Sequence, residues 1–160
     1  MKKIICAALL TFMCASNVYA AELFTKIEKK KMIQLTLESF WGKAIDSQGN
    51  PVQPKDEKER TTIPISELQA NHMINKGGES GLAQWCGVDW QERYQLIILQ
   101  LKKHITSDTQ VAYAGVLHGL AQQMIYDAMK KETCDAETRA QTASIIAEDV
   151  KNIKLSLDEK

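Results

Sequence analysis

The chain has 160 residues, with 20 Lys and Arg balanced by 20 Asp and Glu, and four cysteines. Such a balanced chain lacks the basic surplus that neutralises many phosphates, which excludes nucleic acid as the expected partner. Its length suits one domain with a real core.

The first twenty residues read MKKIICAALLTFMCASNVYA. Lys2 and Lys3 form a positive start, Ile4 to Ala15 is an apolar run, and Val18-Tyr19-Ala20 offers a cleavage site. That pattern predicts a secretory signal peptide cut near Ala20, with a run too short to persist as a membrane span. Lipidation at Cys14 would need small residues before it, whereas Phe12 and Met13 are bulky. The expected mature chain, 21–160, is a single helical domain in the periplasm or secreted. Losing Lys2 and Lys3 leaves 18 basic against 20 acidic side chains, a net charge near −2. Only Cys86 and Cys134 remain, in a compartment where disulfides form and persist.

Residues 21–45 predict a first helix, with Ile33, Leu37, Phe40, Trp41 and Ala44 at helical spacing. The lysines of Lys26 to Lys31 form its solvated face. Gly49, Asn50 and Pro51 then break it, and 46–62 reads as a polar loop, the one place where mobility is expected. Ser66 with Gln69 predicts a capping box, and Gly77–Gly78 is expected to end a short helix over about 67–76. Ser80 would cap the next helix, whose stripe runs through Leu82, Trp85, Cys86, Trp90, Tyr94, Ile97, Leu101 and Ile105. Ser107 with Gln110 predicts a second capping box, opening a helix over about 108–131. Gly115 and Gly119 would let a neighbour approach closely there, with Trp85 or Trp90 as filler. Asp135 caps a last helix carrying Ala143, Ile146, Ala147, Val150 and Ile153. With strand patterns nearly absent, the expected fold is all-α: a compact helical bundle of four to five helices with one disulfide.

Cys86 is the one residue here that invites a nucleophilic reading. A thiol nucleophile needs a lowered pKa and a base, but the nearby Glu79, Asp89 and Glu92 push the other way. A Cys86–Cys134 disulfide is the simpler reading, and closing that 48-residue separation stabilises by about 4 kcal/mol on the chain-entropy model. The stretch around Ser80 is no nucleophile elbow, since Leu82 stands where a glycine is required and the flanks are helical. No metal motif is present. His118, between Leu117 and Gly119, reads as a buried neutral imidazole that low pH would disturb.

The Cys86–Cys134 spacing within a small exported helical body resembles the acid-stress chaperones of the bacterial periplasm, although this chain is longer and bears tryptophans. The gross features are also similar to those of small periplasmic immunity proteins that neutralise toxic cell-wall hydrolases; both are likenesses of architecture. The expectation is a non-enzymatic protein that binds another protein as an inhibitor or immunity-type protein, without cofactor, metal or catalytic residue. Its candidate surface is the loop 46–62 or the group Glu79, Trp85, Asp89, Trp90 and His118. The run Ile97-Ile98-Leu99 cannot all face one core, which favours a partner surface or a homodimer. The alternatives are an acid-stress-type chaperone and a helical hydrolase using Glu79, Asp89 and His118.

Overall fold

The computed structural model describes residues 23–105 and 107–159, so the expected signal peptide and its cleavage near Ala20 lie outside the described residues. Six helices follow in order: α1 (Lys26–Phe40), α2 (Glu57–Thr61), α3 (Glu67–Trp85), α4 (Gln91–His104), α5 (Asp108–Met129) and α6 (Ala136–Asp158). Among the described residues there is no strand, only an isolated bridge between Ile45 and Pro51. The all-α expectation holds, with five long helices and one of five residues.

A capping box opens α1: Glu28 N donates to Thr25 Oγ1 and Thr25 N to the Glu28 carboxylate. Met32, Ile33, Thr36, Leu37 and Phe40 then recur at three- and four-residue spacing on its buried face. The helix ends at Phe40, short of the expected 45. Gly42 at φ +77° turns the chain in a conformation that glycine tolerates best. Ala44 and Val52 are buried beyond that turn and joined by a Val52 N to Ala44 O bond of 2.8 Å.

The capping box at Ser66 forms as expected, with Gln69. The expected end at Gly77–Gly78 does not occur: α3 continues to Trp85, and Ser80 is a buried mid-helix residue, not a cap. Neighbouring backbone explains why. A Cβ on Gly77 would fall on the His118 carbonyl oxygen, and one on Gly81 would lie 2.5 Å from the Gln122 carbonyl oxygen. Two glycines, each costing about 1 kcal/mol of helix propensity, let α3 and α5 pack almost backbone to backbone. The close approach thus belongs to α3. Gly119 faces open space, and Gly115 faces the Tyr94 hydroxyl. Trp85 and Trp90 fill no such groove, and both are only partly buried.

Gly77 meets His118 and Gly81 meets Gln122, so α3 and α5 run parallel, with α4 returning between them in sequence. The return begins at Gln91, not Ser80, after Cys86 and Gly87 (φ +66°) turn the chain. The predicted Ser107 cap of α5 makes no side-chain bond, and the Gln110 side chain that would complete the box reaches instead to the Pro64 carbonyl at 2.7 Å. Asp135 caps α6 as expected, accepting from Thr138 N at 2.7 Å. The expected disulfide joins Cys86, at the end of α3, to Cys134, just before α6, with Cα atoms 5.2 Å apart.

Candidate functional site

The deepest polar feature begins with Arg93, which α4 carries into the interior with no exposed surface. Its Nη1 donates to Glu79 Oε2 at 2.6 Å and to Asp149 Oδ2 at 3.0 Å. Its Nη2 donates to the Lys76 carbonyl at 2.7 Å and to Ser80 Oγ at 2.8 Å. Lys76 Nζ reaches the same two carboxylates, at 3.1 and 2.6 Å. One guanidinium fork therefore joins α3, α4 and α6, using the planar geometry that suits Arg to carboxylates. Only its Nε is buried without a partner.

Ser80 extends this network to α5, because its Oγ lies 3.1 Å from His118 Nε2. Ser80 accepts from Arg93, so its own hydrogen is free to donate to His118. With the ring hydrogen on Nδ1, Nε2 accepts that hydrogen; in the other tautomer Nε2–H donates to the second lone pair of Ser80 Oγ. Burial, reinforced by the Arg93 charge, lowers the His118 pKa to about 4. The Tyr94 ring covers the imidazole at 4.6 Å between centroids, and Trp90 lies 6.3 Å away. Burial raises the Tyr94 pKa above the ordinary tyrosine value.

On the outer side of Tyr94 opens a cleft of about 350 Å³. Ile45, Ile98, Val111, Ala112 and Val116 supply its apolar wall, and Asp46, Asp108 and Lys102 stand around it. The run Ile97-Ile98-Leu99 divides three ways. Ile97 is core at 3% exposure, Ile98 lines the cleft, and Leu99 is 54% exposed.

The segment 41–64 is braced within itself and tied to this wall through Ser47. Asp46 Oδ1 accepts from Gln48 N and Asn50 N at 2.9 and 2.8 Å, closing an Asx-type turn. Ser47 donates to Asp108 at 2.9 Å, and Trp41 Nε1 donates to the Arg60 carbonyl at 2.9 Å. The Asp46 carboxyl pKa is lowered, chiefly by the Asn50 backbone bond.

The residues singled out from the sequence separate into three places. Glu79 and His118 belong to the buried network, with Trp90 beside the imidazole. Asp89 is exposed and accepts from Gln91 N in the turn before α4. Trp85 donates from Nε1 to the Glu132 carbonyl at 3.0 Å, near the disulfide in sequence. Sequence reasoning missed Arg93, Ser80, Lys76, Asp149 and Tyr94's covering role. One signal was available: Arg93 lies between Trp90 and Ile97 at helical spacing, on the face expected to be buried.

Two other hollows are present among the described residues. One of about 470 Å³ mixes Lys55 and Lys58 with Asp56 and Glu59, and one of about 360 Å³ along α1 sets the exposed Ile27 and Leu35 beside Lys30 and Lys31. Among the described residues no group of three His, Cys, Asp or Glu side chains is placed to hold a metal ion, and no helix is long and apolar enough to cross a membrane. No family model, curated protein or solved structure matches this chain.

Proposed function

We propose that this is an exported, non-enzymatic protein that binds another protein, as an inhibitor or immunity-type protein does, through the cleft between residues 45–47, α4 and α5. The observation that carries this reading is Ile45, which is 53% exposed at the rim of an apolar wall and held on a hydrogen-bonded turn. A single exposed isoleucine is ordinary, but one continuous with Ile98, Val111 and Val116 offers a contiguous patch. Its pre-formed shape reduces the ordering entropy that binding must overcome. Two carboxylates against one lysine leave the rim net negative, so the occupant that fits is a partner segment pairing an aliphatic side chain with a basic one.

The test is crosslinked capture from envelope extract at neutral pH by the mature protein, followed by binding of the purified partner. Ile45→Asp and Val116→Asp should each weaken binding about tenfold, roughly 1.4 kcal/mol, with unchanged helicity. Leu68→Asp, at a site 81% exposed elsewhere, should leave it intact. Equal effects at all three positions would reject the cleft.

The acid-stress chaperone is favoured by a different observation, the buried His118 wired to Arg93. It predicts many weak clients captured only near pH 3, and no single partner at neutral pH. The hydrolase reading has less support. Asp89 stands in an exposed turn, and the serine beside His118 is wholly buried while accepting from Arg93.

A further inference from the structure

The Ser80 hydroxyl carries one hydrogen and stands between two nitrogens. Arg93 Nη2 donates to its oxygen at 2.8 Å, and the hydrogen turns to His118 Nε2 at 3.1 Å. A proton placed on Nε2 makes both neighbours donors to the same oxygen and sets a second cation beside the guanidinium. The serine hydrogen then turns away from both, and the guanidinium 2.8 Å from the same oxygen opposes the new charge.

The nearest ring to yield is Tyr94. It covers His118 at 4.6 Å, and its hydroxyl lies against Gly115, where an added Cβ would approach it to 3.1 Å. Tyr94, Gly115 and Val116 all line the cleft. One side chain thus has its ring on the imidazole and its surface in the cleft wall.

We infer that Tyr94 couples the protonation of His118 to the shape of the cleft, so that acid alters the surface offered to a partner. This rests on the cleft being the binding surface. The charged and titratable groups facing His118 are known from each packed element. From α3 come Lys76 and Glu79 behind Ser80, with His72 one turn before Lys76 and itself held below the usual histidine value by burial, and from α4 Arg93 and Tyr94. Asp149 of α6 acts through Arg93, and the one charged side chain that α1 buries is Lys29. Arg93 opposes a proton on His118 most directly, and the two carboxylates are already engaged by Arg93 and Lys76.

Proton–nitrogen spectra of the full mature chain, disulfide intact, recorded from pH 7 down to about pH 2.5, well past the His118 midpoint, test the coupling without a partner. The amides of Ile98, Gly115 and Val116 should shift with the same midpoint as the His118 ring while the spectrum stays dispersed. His118→Gln should reduce those shifts at least fivefold. Tyr94→Leu should leave the imidazole titrating but uncouple the amides. Three results would each overturn the inference: cleft amides still while the imidazole titrates, equal amide shifts in His118→Gln, or collapse of all dispersion at one midpoint. Failure of capture at neutral pH, by contrast, would remove the binding reading and leave the measured coupling standing.

Discussion

At the scale of single residues, Arg93 and His118 are buried for opposite electrostatic reasons. Arg93 enters the interior charged because two carboxylates, a carbonyl and a hydroxyl meet four of its donor directions. Removing it leaves Glu79 and Asp149 only Lys76 as a cationic partner, so Arg93→Ala should cost about 3 kcal/mol or more in urea unfolding. Arg93→Lys should recover less than half of that, since an ammonium cannot reproduce the fork. His118 enters neutral, with its pKa lowered to about 4 by burial and Arg93. Above pH 6.5 the imidazole is neutral in both folded and unfolded chains and contributes no pH dependence. Between 6.5 and about 4 the unfolded chain binds the proton and the native chain resists it, so stability falls as pH falls. The total loss is on the order of 3 kcal/mol and levels off below the folded value. Urea midpoints across this range should slope in the native sequence and flatten in His118→Gln. A slope of equal size in the variant would assign acid sensitivity instead to His72, whose pKa burial also lowers, or to the carboxylates.

At the scale of elements, α3 separates what was legible in the sequence from what was not. Its start was legible, because Ser66 and Gln69 satisfy each other within one turn and need nothing distant. Asp135 was legible for the same local reason, and the pairing of Cys86 with Cys134 was read from cysteine arithmetic rather than local spacing. Its continuation through Gly77, Gly78 and Gly81 was not, because glycine breaks a helix by default and is retained here by the α5 backbone at Gly77 and Gly81, forty residues on, and by the Leu23 and Phe24 side chains at Gly78. The Ser107 box failed similarly: Gln110 had a better partner in Pro64, which local spacing cannot reveal. The buried network and the cleft were illegible for a stronger reason, since the first gathers side chains from four helices and the second from three separate segments. A contrast among glycines tests this account. Gly77→Ala and Gly81→Ala should each destabilise by about 2 kcal/mol or more through overpacking against α5. Gly119→Ala, helical and facing open space, should be neutral or stabilising by up to about 1 kcal/mol. Thermal melts of the three variants suffice, and a stabilised Gly81→Ala would mean that α3 and α5 stand farther apart.

At the scale of the whole molecule, the frame and the proposed site lie at opposite ends of α5. The cleft takes residues 108–116 of that helix, whereas Cys134 follows its far end and joins Cys86 at the close of α3. With a rise of 1.5 Å per residue, Ala112 and Met129 are roughly 25 Å apart along the axis. The Trp85 bond to the Glu132 carbonyl ties the same corner as the disulfide, so the far end is held twice. Reduction should therefore lower global stability by about 2–4 kcal/mol, read as a lower urea midpoint with reductant present. Native spectra should persist, because the α3–α5 seam and the Arg93 fork do not depend on the bridge. Partner binding at neutral pH should change less than twofold on reduction, while Ile45→Asp abolishes most of it without moving the urea midpoint. That double dissociation separates a stabilising staple from a recognition surface. If reduction weakened binding as much as Ile45→Asp does, the staple end of the bundle would be the surface that a partner reads.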